Sequence, residues 1–75
     1  MLQIREFIAL LDAWFAAEGS VSAASAALYI HKNTLQYRLK RLAEISGLDV
    51  RLPSQAPALY LALQFFRELE PSQYN

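Results

Sequence analysis

The chain has no cysteine, and only one histidine and one tryptophan. Without thiols there is no disulfide frame and no thiolate metal site, and a reducing cytosol is permitted. Glycine and proline are scarce, two and three in 75 residues, so few positions force a helix to stop. No apolar run approaches the roughly 18 residues that cross a bilayer. The opening MLQIREF lacks a basic stretch leading into an apolar one, so neither a membrane partner nor a signal peptide is expected. An excess of one charge is missing too. Seven Lys and Arg balance seven Asp and Glu, so only a local cluster of cations can attract a polyanion.

What is present is apolar. Hydrophobic residues make up 55% of the chain, in a length that holds one domain and one core. A domain this small buries only about 60% of its unfolded surface. The remaining apolar surface is then available to a partner or to the rest of a longer protein.

Between Gly19, Gly47 and Pro53 every segment reads at helical period, which makes an all-α domain of four helices. The first is expected at about residues 2–18. Ile4, Phe7, Ile8, Leu11 and Phe15 form its face, Leu10 and Trp14 widen it, and Gly19 closes it in the left-handed conformation. Ser20 is the natural N-cap of a short second helix at 21–28, slimmed by Ala23, Ala24, Ala26 and Ala27. A third helix is expected at 32–46, with Leu35, Leu39 and Leu42 inward and Ile45 beside them, ended by Gly47. A connector leads to a fourth helix at about 55–70, capped by Ser54, with Pro57 tolerated in its first turn. Its apolar arc, from Leu61 through Phe65, Leu69, Phe66 and Leu59 to Leu63, covers about 200°. Pro71 stops it, and residues 72–75 read as a frayed tail.

Residues 21–40 form a short helix, a turn at Tyr29, Ile30 and His31, and a longer helix. That is the shape of a helix-turn-helix, whose second helix enters the major groove of DNA. Leu28, Ile30, Leu35 and Leu39 are apolar where the two helices must pack. Ser25 is small where they cross, and its hydroxyl needs a backbone acceptor. Tyr29 stands where many helix-turn-helix proteins have glycine. A bulky residue at positive φ is costly, so the turn is expected to depart from the usual geometry. Charge follows the same pattern: no acidic residue occurs between Glu18 and Glu44, whereas Lys32, Arg38, Lys40 and Arg41 do. Phosphate neutralisation supplies most non-specific DNA affinity. A merely solvated basic face is the plainer alternative, and the coincidence with the helix-turn-helix pattern outweighs it.

The stretch HKNTLQYRLKRLAEISGLDVRLP resembles the C-terminal helix-turn-helix domain of the PucR/CdaR family of bacterial regulators. The features that carry the resemblance are His31, Asn33, Thr34, Leu35, Tyr37, Arg38, Leu39 and Arg41. Gly47-Leu48-Asp49 and Leu61-Ala62-Leu63 follow, and GSVSAASAALYI upstream looks like the family's second helix. Ser25 departs from the family's usual alanine. The resemblance implies a four-helix domain related to the DNA-binding end of Fis-like proteins. It also implies a larger parent with an N-terminal sensory region, and a cytoplasmic location, on the nucleoid when bound to DNA.

The candidate DNA-binding residues are Ser22, His31, Lys32, Asn33, Thr34, Gln36, Tyr37, Lys40 and Arg41. Lys32 reaches a guanine edge or a phosphate, and Asn33 pairs with adenine or bonds local backbone. Thr34, Gln36 and Tyr37 offer hydroxyl and amide groups to phosphates or base edges. Lys40 shares the Asn33 face and tracks the phosphate backbone, and Arg41 lies to one side. Arg38 sits beside the leucine stripe, its stem over the core and its guanidinium turned toward a carboxylate. His31 has no cysteine or facing carboxylates at ligand spacing, so capping the third helix or touching a phosphate suits it better than metal binding. No nucleophile with its base and no glycine-rich phosphate loop occurs. An enzyme is therefore not expected, nor a cofactor. The expected partners are double-stranded DNA and a second copy of the chain, docked through the first or fourth helix. The rival reading is a helix-turn-helix-shaped protein-interaction module that does not bind DNA, for which the wide apolar arc of the fourth helix argues.

Overall fold

A computed structural model describes residues 4–69. Four helices account for its architecture, with no strand among the described residues: α1 (Ile4–Ala16), α2 (Val21–Leu28), α3 (Lys32–Ser46) and α4 (Ala56–Leu69). The expected helical residues 2, 3 and 70, Pro71 and the tail at 72–75 lie outside the described residues. Helix α1 packs on each of the other three, and α2 packs on α3.

The core draws on all four helices and on one connector residue. Leu10, Leu11 and Trp14 come from α1, Ala24 from α2, Leu35, Leu39 and Leu42 from α3, and Leu59 and Leu63 from α4. The inward stripe of α1 is thus centred further round than its apolar spacing suggests. Leu10 and Trp14 are buried, Phe7, Ile8 and Phe15 only partly so, and Ile4 is 54% exposed. Ile45, expected beside the leucines of α3, is also turned out, at 57% exposure. It lies beside a groove lined also by Ile4 and Phe66. Val50 in the connector is 3% exposed and pins the chain between α3 and α4 to the core. Helix α4 is further tied to α1 by an edge-to-face contact of Phe15 and Tyr60, ring centres 5.1 Å apart, and by an Asp12–Arg67 ion pair.

The helix ends show how local chemistry sets the frame. Ser20 Oγ accepts the amide of Ala23 at 3.1 Å, capping α2. Buried Ser25 satisfies its hydroxyl by donating to Ser22 O at 3.1 Å. Gly47, at φ 78°, closes α3 with its amide on Ala43 O. Helix α1 ends earlier than residue 18 and is closed first by Glu18, at φ 54°, rather than by Gly19 alone. The Glu18 amide donates to Phe15 O and the Gly19 amide to Trp14 O, the two-bond closure that satisfies the last carbonyls. Ser54 does not cap α4. The chain turns over 52–55 instead, where the amides of Gln55 and Ala56 both donate to Leu52 O at 2.9 Å. Pro57 then falls at the second helical residue, where its missing amide costs nothing.

The turn between α2 and α3 is regular, contrary to the expectation from its bulky residue. Tyr29 itself takes the left-handed conformation, φ 57° and ψ 40°. Its amide donates to Ala26 O and that of Ile30 to Ser25 O, the same closure that glycine usually makes. The side chain is 94% exposed, so no packing offsets the strain, which is about 1–2 kcal/mol for an L-residue. Tyr29→Gly relieves that strain against an unfolded-state entropy cost of about 0.5–1 kcal/mol. A small rise in melting temperature is expected, and Tyr29→Val should lower it, because a β-branched residue is worse still at positive φ. Thermal melts followed by circular dichroism at 222 nm, the usual helix band, check both.

Candidate nucleic-acid interface

The turn at Tyr29 sets α3 across α2 and leaves one long side of α3 uncovered. His31, Lys32, Asn33, Gln36, Tyr37 and Lys40 are exposed, Tyr37 at 62%. Thr34 and Arg41 are half-buried at the margins of this face, and Ser22 is exposed on α2. At 100° per residue, Asn33, Tyr37 and Lys40 lie within about 60° of one another, opposite the buried Leu35, Leu39 and Leu42. Lys32 and Gln36 occupy one flank and Arg41 and Thr34 the other.

The first turn of α3 is electropositive. His31 Nδ1 accepts the amide of Asn33 at 3.0 Å, a capping bond that leaves the ring proton on Nε2, facing outward as a donor. No acidic residue stands in this turn, so nothing neutralises the positive end of the helix dipole, and Lys32 adds a cation to it. A cation there is unfavourable in the free domain and favourable beside a phosphate.

Ion pairing sharpens the asymmetry of a chain whose charges sum to zero. Among the described residues, Asp12 is paired to Arg67, Glu44 to Arg41 and Asp49 to Arg51. Lys32, Arg38 and Lys40 have no ion-pair partner among the described residues. All three are on α3; Arg5, on α1, is the fourth cation without such a partner. The carboxylate anticipated for Arg38 is therefore not there, although its side chain is half-buried as expected. Arg41 is held by Glu44 at 3.2 Å, which lessens its availability to a phosphate.

One residue at this surface was not singled out by the sequence. Arg51, in the connector, forks onto Asp49: Nε donates to Oδ1 at 2.9 Å and Nη2 to Oδ2 at 2.8 Å, and the Arg51 amide also donates to Oδ1 at 2.9 Å. Its Nη1 reaches across to Oε1 of Gln36 at 3.5 Å. Gln55 steadies the turn from the far side, its Oε1 accepting the Asp49 amide at 2.6 Å. Only the Asp-x-Arg spacing hints at the fork in sequence, and nothing there hints at its contact with a residue 15 positions earlier.

With this geometry in place, comparison with known proteins decides the family. The chain matches the PucR C-terminal helix-turn-helix domain over residues 7–65. It belongs to that family. It is similar to the carbohydrate diacid regulator of Escherichia coli K12, 47% identical over 58 residues, 77% of this chain and 15% of that protein. It is also similar to the DNA-binding transcriptional activator AdeR of Bacillus subtilis 168, 39% identical over 72% of this chain and 13% of AdeR. The transcriptional activator PmfR of Paenarthrobacter nicotinovorans is 41% identical over 72% of this chain and 12% of PmfR. The chain thus spans about 15% or less of the length of these relatives. No solved structure matches. No described helix of this family member is long and apolar enough to cross a membrane.

The Asp49–Arg51 fork makes a prediction about acid. The Arg51 guanidinium, hydrogen-bonded to the carboxylate, holds Asp49 below the usual carboxylate range, against a smaller opposing effect of burial. A lowered folded pKa stabilises the fold above the unfolded pKa, and this contribution disappears as pH falls through the folded value. Wild-type stability should therefore drop between the ordinary carboxylate range and the lowered value, and Asp49→Asn should flatten that part of the profile. Urea midpoints measured between about pH 6 and 2 test this, with an unchanged slope in Asp49→Asn as the contrary result.

Proposed function

We propose that this domain binds double-stranded DNA in a sequence-specific way, with α3 in the major groove, as the C-terminal DNA-binding part of a longer transcription regulator. The observation that carries the proposal is the outer side of α3: polar and basic, free of intramolecular ion pairs at Lys32 and Lys40, and opening on an uncompensated helix N-terminus. Membership of the family and the regulatory roles of its relatives support it. Base edges are read from the exposed first turns, by Lys32, Asn33 and Gln36. Phosphates are met by Lys40, Thr34, Tyr37, the His31 Nε2 proton, Ser22 on α2 and, more weakly, Arg41. A sensory region N-terminal to this domain in the parent regulates it.

The test separates reading from folding on one helix. Leu35 is fully buried, whereas Asn33, two residues earlier, faces solvent. Leu35→Ala should cost about 2–5 kcal/mol and abolish binding by unfolding the domain. Lys32→Ala and Asn33→Ala should leave the helical dichroism and melting temperature nearly unchanged, yet weaken specific binding by about 1–3 kcal/mol each. With about four to six phosphates neutralised, log affinity should fall with log salt at a slope of about −4 to −5. If the exposed variants keep both fold and affinity, α3 is not a recognition helix and the protein-interaction reading takes its place.

Dimerisation belongs to the same proposal. The apolar arc of α4 divides into an inner half, Leu59 and Leu63, and an outer half, Leu61, Phe65 and Leu69, each of the latter more than 60% exposed. These three are spaced by four, so they form a continuous strip. A second copy covering it places two α3 helices roughly 34 Å apart, on successive major grooves. Phe65→Glu should leave the monomer folded and eliminate the dimer in sedimentation experiments. Wild-type chain that stays monomeric at high micromolar concentration and binds only single half-sites contradicts this arrangement.

A further inference from the structure

The contact between Arg51 and Gln36 bears on which base the helix reads, and this inference rests on the proposed DNA-binding role. Glutamine is ambiguous as a reader, because its side chain carries both an acceptor and donors. Bidentate pairing with adenine requires both: the oxygen accepts from N6 and the nitrogen donates to N7. Guanine presents two acceptors, O6 and N7, and needs donors only. What the rest of the protein does with the Gln36 oxygen therefore biases the choice.

Arginine carries five donors and no acceptor. The atom of Gln36 turned toward Nη1 of Arg51 must accordingly be the oxygen, on chemical grounds alone, and Nε2 with its two protons is the end left for a ligand. Arg51 is not free to swing away. Two of its nitrogens are forked onto both oxygens of Asp49 at 2.8 and 2.9 Å, and its own amide is tied to the same carboxylate. The Asp49 amide is in turn held by Gln55 at 2.6 Å, and Val50 between them is buried in the core. The bond to Gln36, at 3.5 Å, is the longest of the three that the guanidinium makes, but it comes from a donor fixed in place. The same fork argues against a simpler role. An arginine whose charge is already matched by a bidentate carboxylate gains less from a phosphate than unpaired Lys32 or Lys40 does.

We propose that Arg51 is a specificity-determining positioning residue. Held by Asp49, it engages one lone pair of the Gln36 oxygen from the connector and turns the amide so that its nitrogen points away from Arg51. This biases Gln36 toward donating to DNA and favours guanine over adenine at one position of the site.

Selection of the 75-residue chain on random duplexes, followed by affinities for the selected site and its single-base variants, tests this. Gln36→Ala identifies the position that Gln36 reads, as the one where preference flattens. Wild type should prefer guanine there. Arg51→Met, which keeps most of the stem and removes the donors, should move that preference toward adenine. The guanine-to-adenine ratio should change by about tenfold, while non-cognate affinity and the salt slope stay as in wild type. Asp49→Asn, which keeps the cation but loosens the fork, should shift the same position the same way, and it serves if Arg51→Met melts. An adenine preference in wild type overturns the inference. So does a loss in Arg51→Met that is equal for all sequences and lowers the salt slope by about one, the signature of a phosphate contact. If Gln36→Ala alters no position while Lys32→Ala and Asn33→Ala do, this inference alone falls. If none of the three changes binding, the DNA-binding role falls with it.

Discussion

The joint between α2 and α3 is the constraint on which the remaining structure depends. Two helices cross closely there because α2 brings only Ala24, wholly buried, and Ser25, with its hydroxyl folded back onto Ser22 O. Leu35 and Leu39 fill the space beneath, both almost completely buried. The chain then has three residues in which to reverse direction, and the first, Tyr29, takes the left-handed conformation at a cost in strain. Larger side chains at Ala24 or Ser25 would separate the helices and tilt α3. A tilt matters more here than in most small domains. In the proposed binding mode the outer face of α3 must meet the groove at one angle, and that angle is set by the joint rather than by the helix.

Once the joint is fixed, charge decides what the exposed face can attract. A chain of zero net charge makes a basic face by spending its acids elsewhere. Asp12 is matched by Arg67 on the α1–α4 side, and Asp49 by Arg51 in the connector. What remains on α3 is Lys32 at a helix start that no acidic residue neutralises, and Lys40 two turns on. Arrangement, not total charge, therefore produces the field. The exposed ion pairs add little to stability, so their value lies in which cations they leave unpaired and in the positions they hold.

Much of this was legible in the sequence, for reasons that differ along the chain. The bounds of α2 and α3 are written locally: Ser20 and His31 each offer a side-chain acceptor to the helix that follows, and Gly47 takes the positive φ that ends α3. The outward set on α3 follows from period alone, once Leu35, Leu39 and Leu42 point inward. Features that depend on tertiary packing were less visible. Apolar spacing places Ile4 and Ile45 beside the core, yet both are more than half exposed, at the rim of a groove they share with Phe66. Glu18 enters the left-handed region before Gly19, since two residues of turn are needed to aim Ser20 at α2. Ser54 has the chemistry of a cap, but the carbonyl of Leu52 already receives the amides of Gln55 and Ala56. Arg51 was invisible for the plainest reason. Its partner on α3 is distant in sequence, and only the fold brings them together.

The connector also explains why α4 sits where it does. Val50 is buried while its neighbours Asp49 and Arg51 are turned outward to one another, so the segment is anchored by one apolar residue and stiffened by one ion pair. Helix α4 then reaches the rest of the domain mainly through α1, by Leu59, Leu63 and the Phe15–Tyr60 contact. Its outer strip of Leu61, Phe65 and Leu69 is left exposed. In the proposed arrangement, pairing through α4 and reading through α3 therefore draw on different helices of one small core, so neither role obstructs the other.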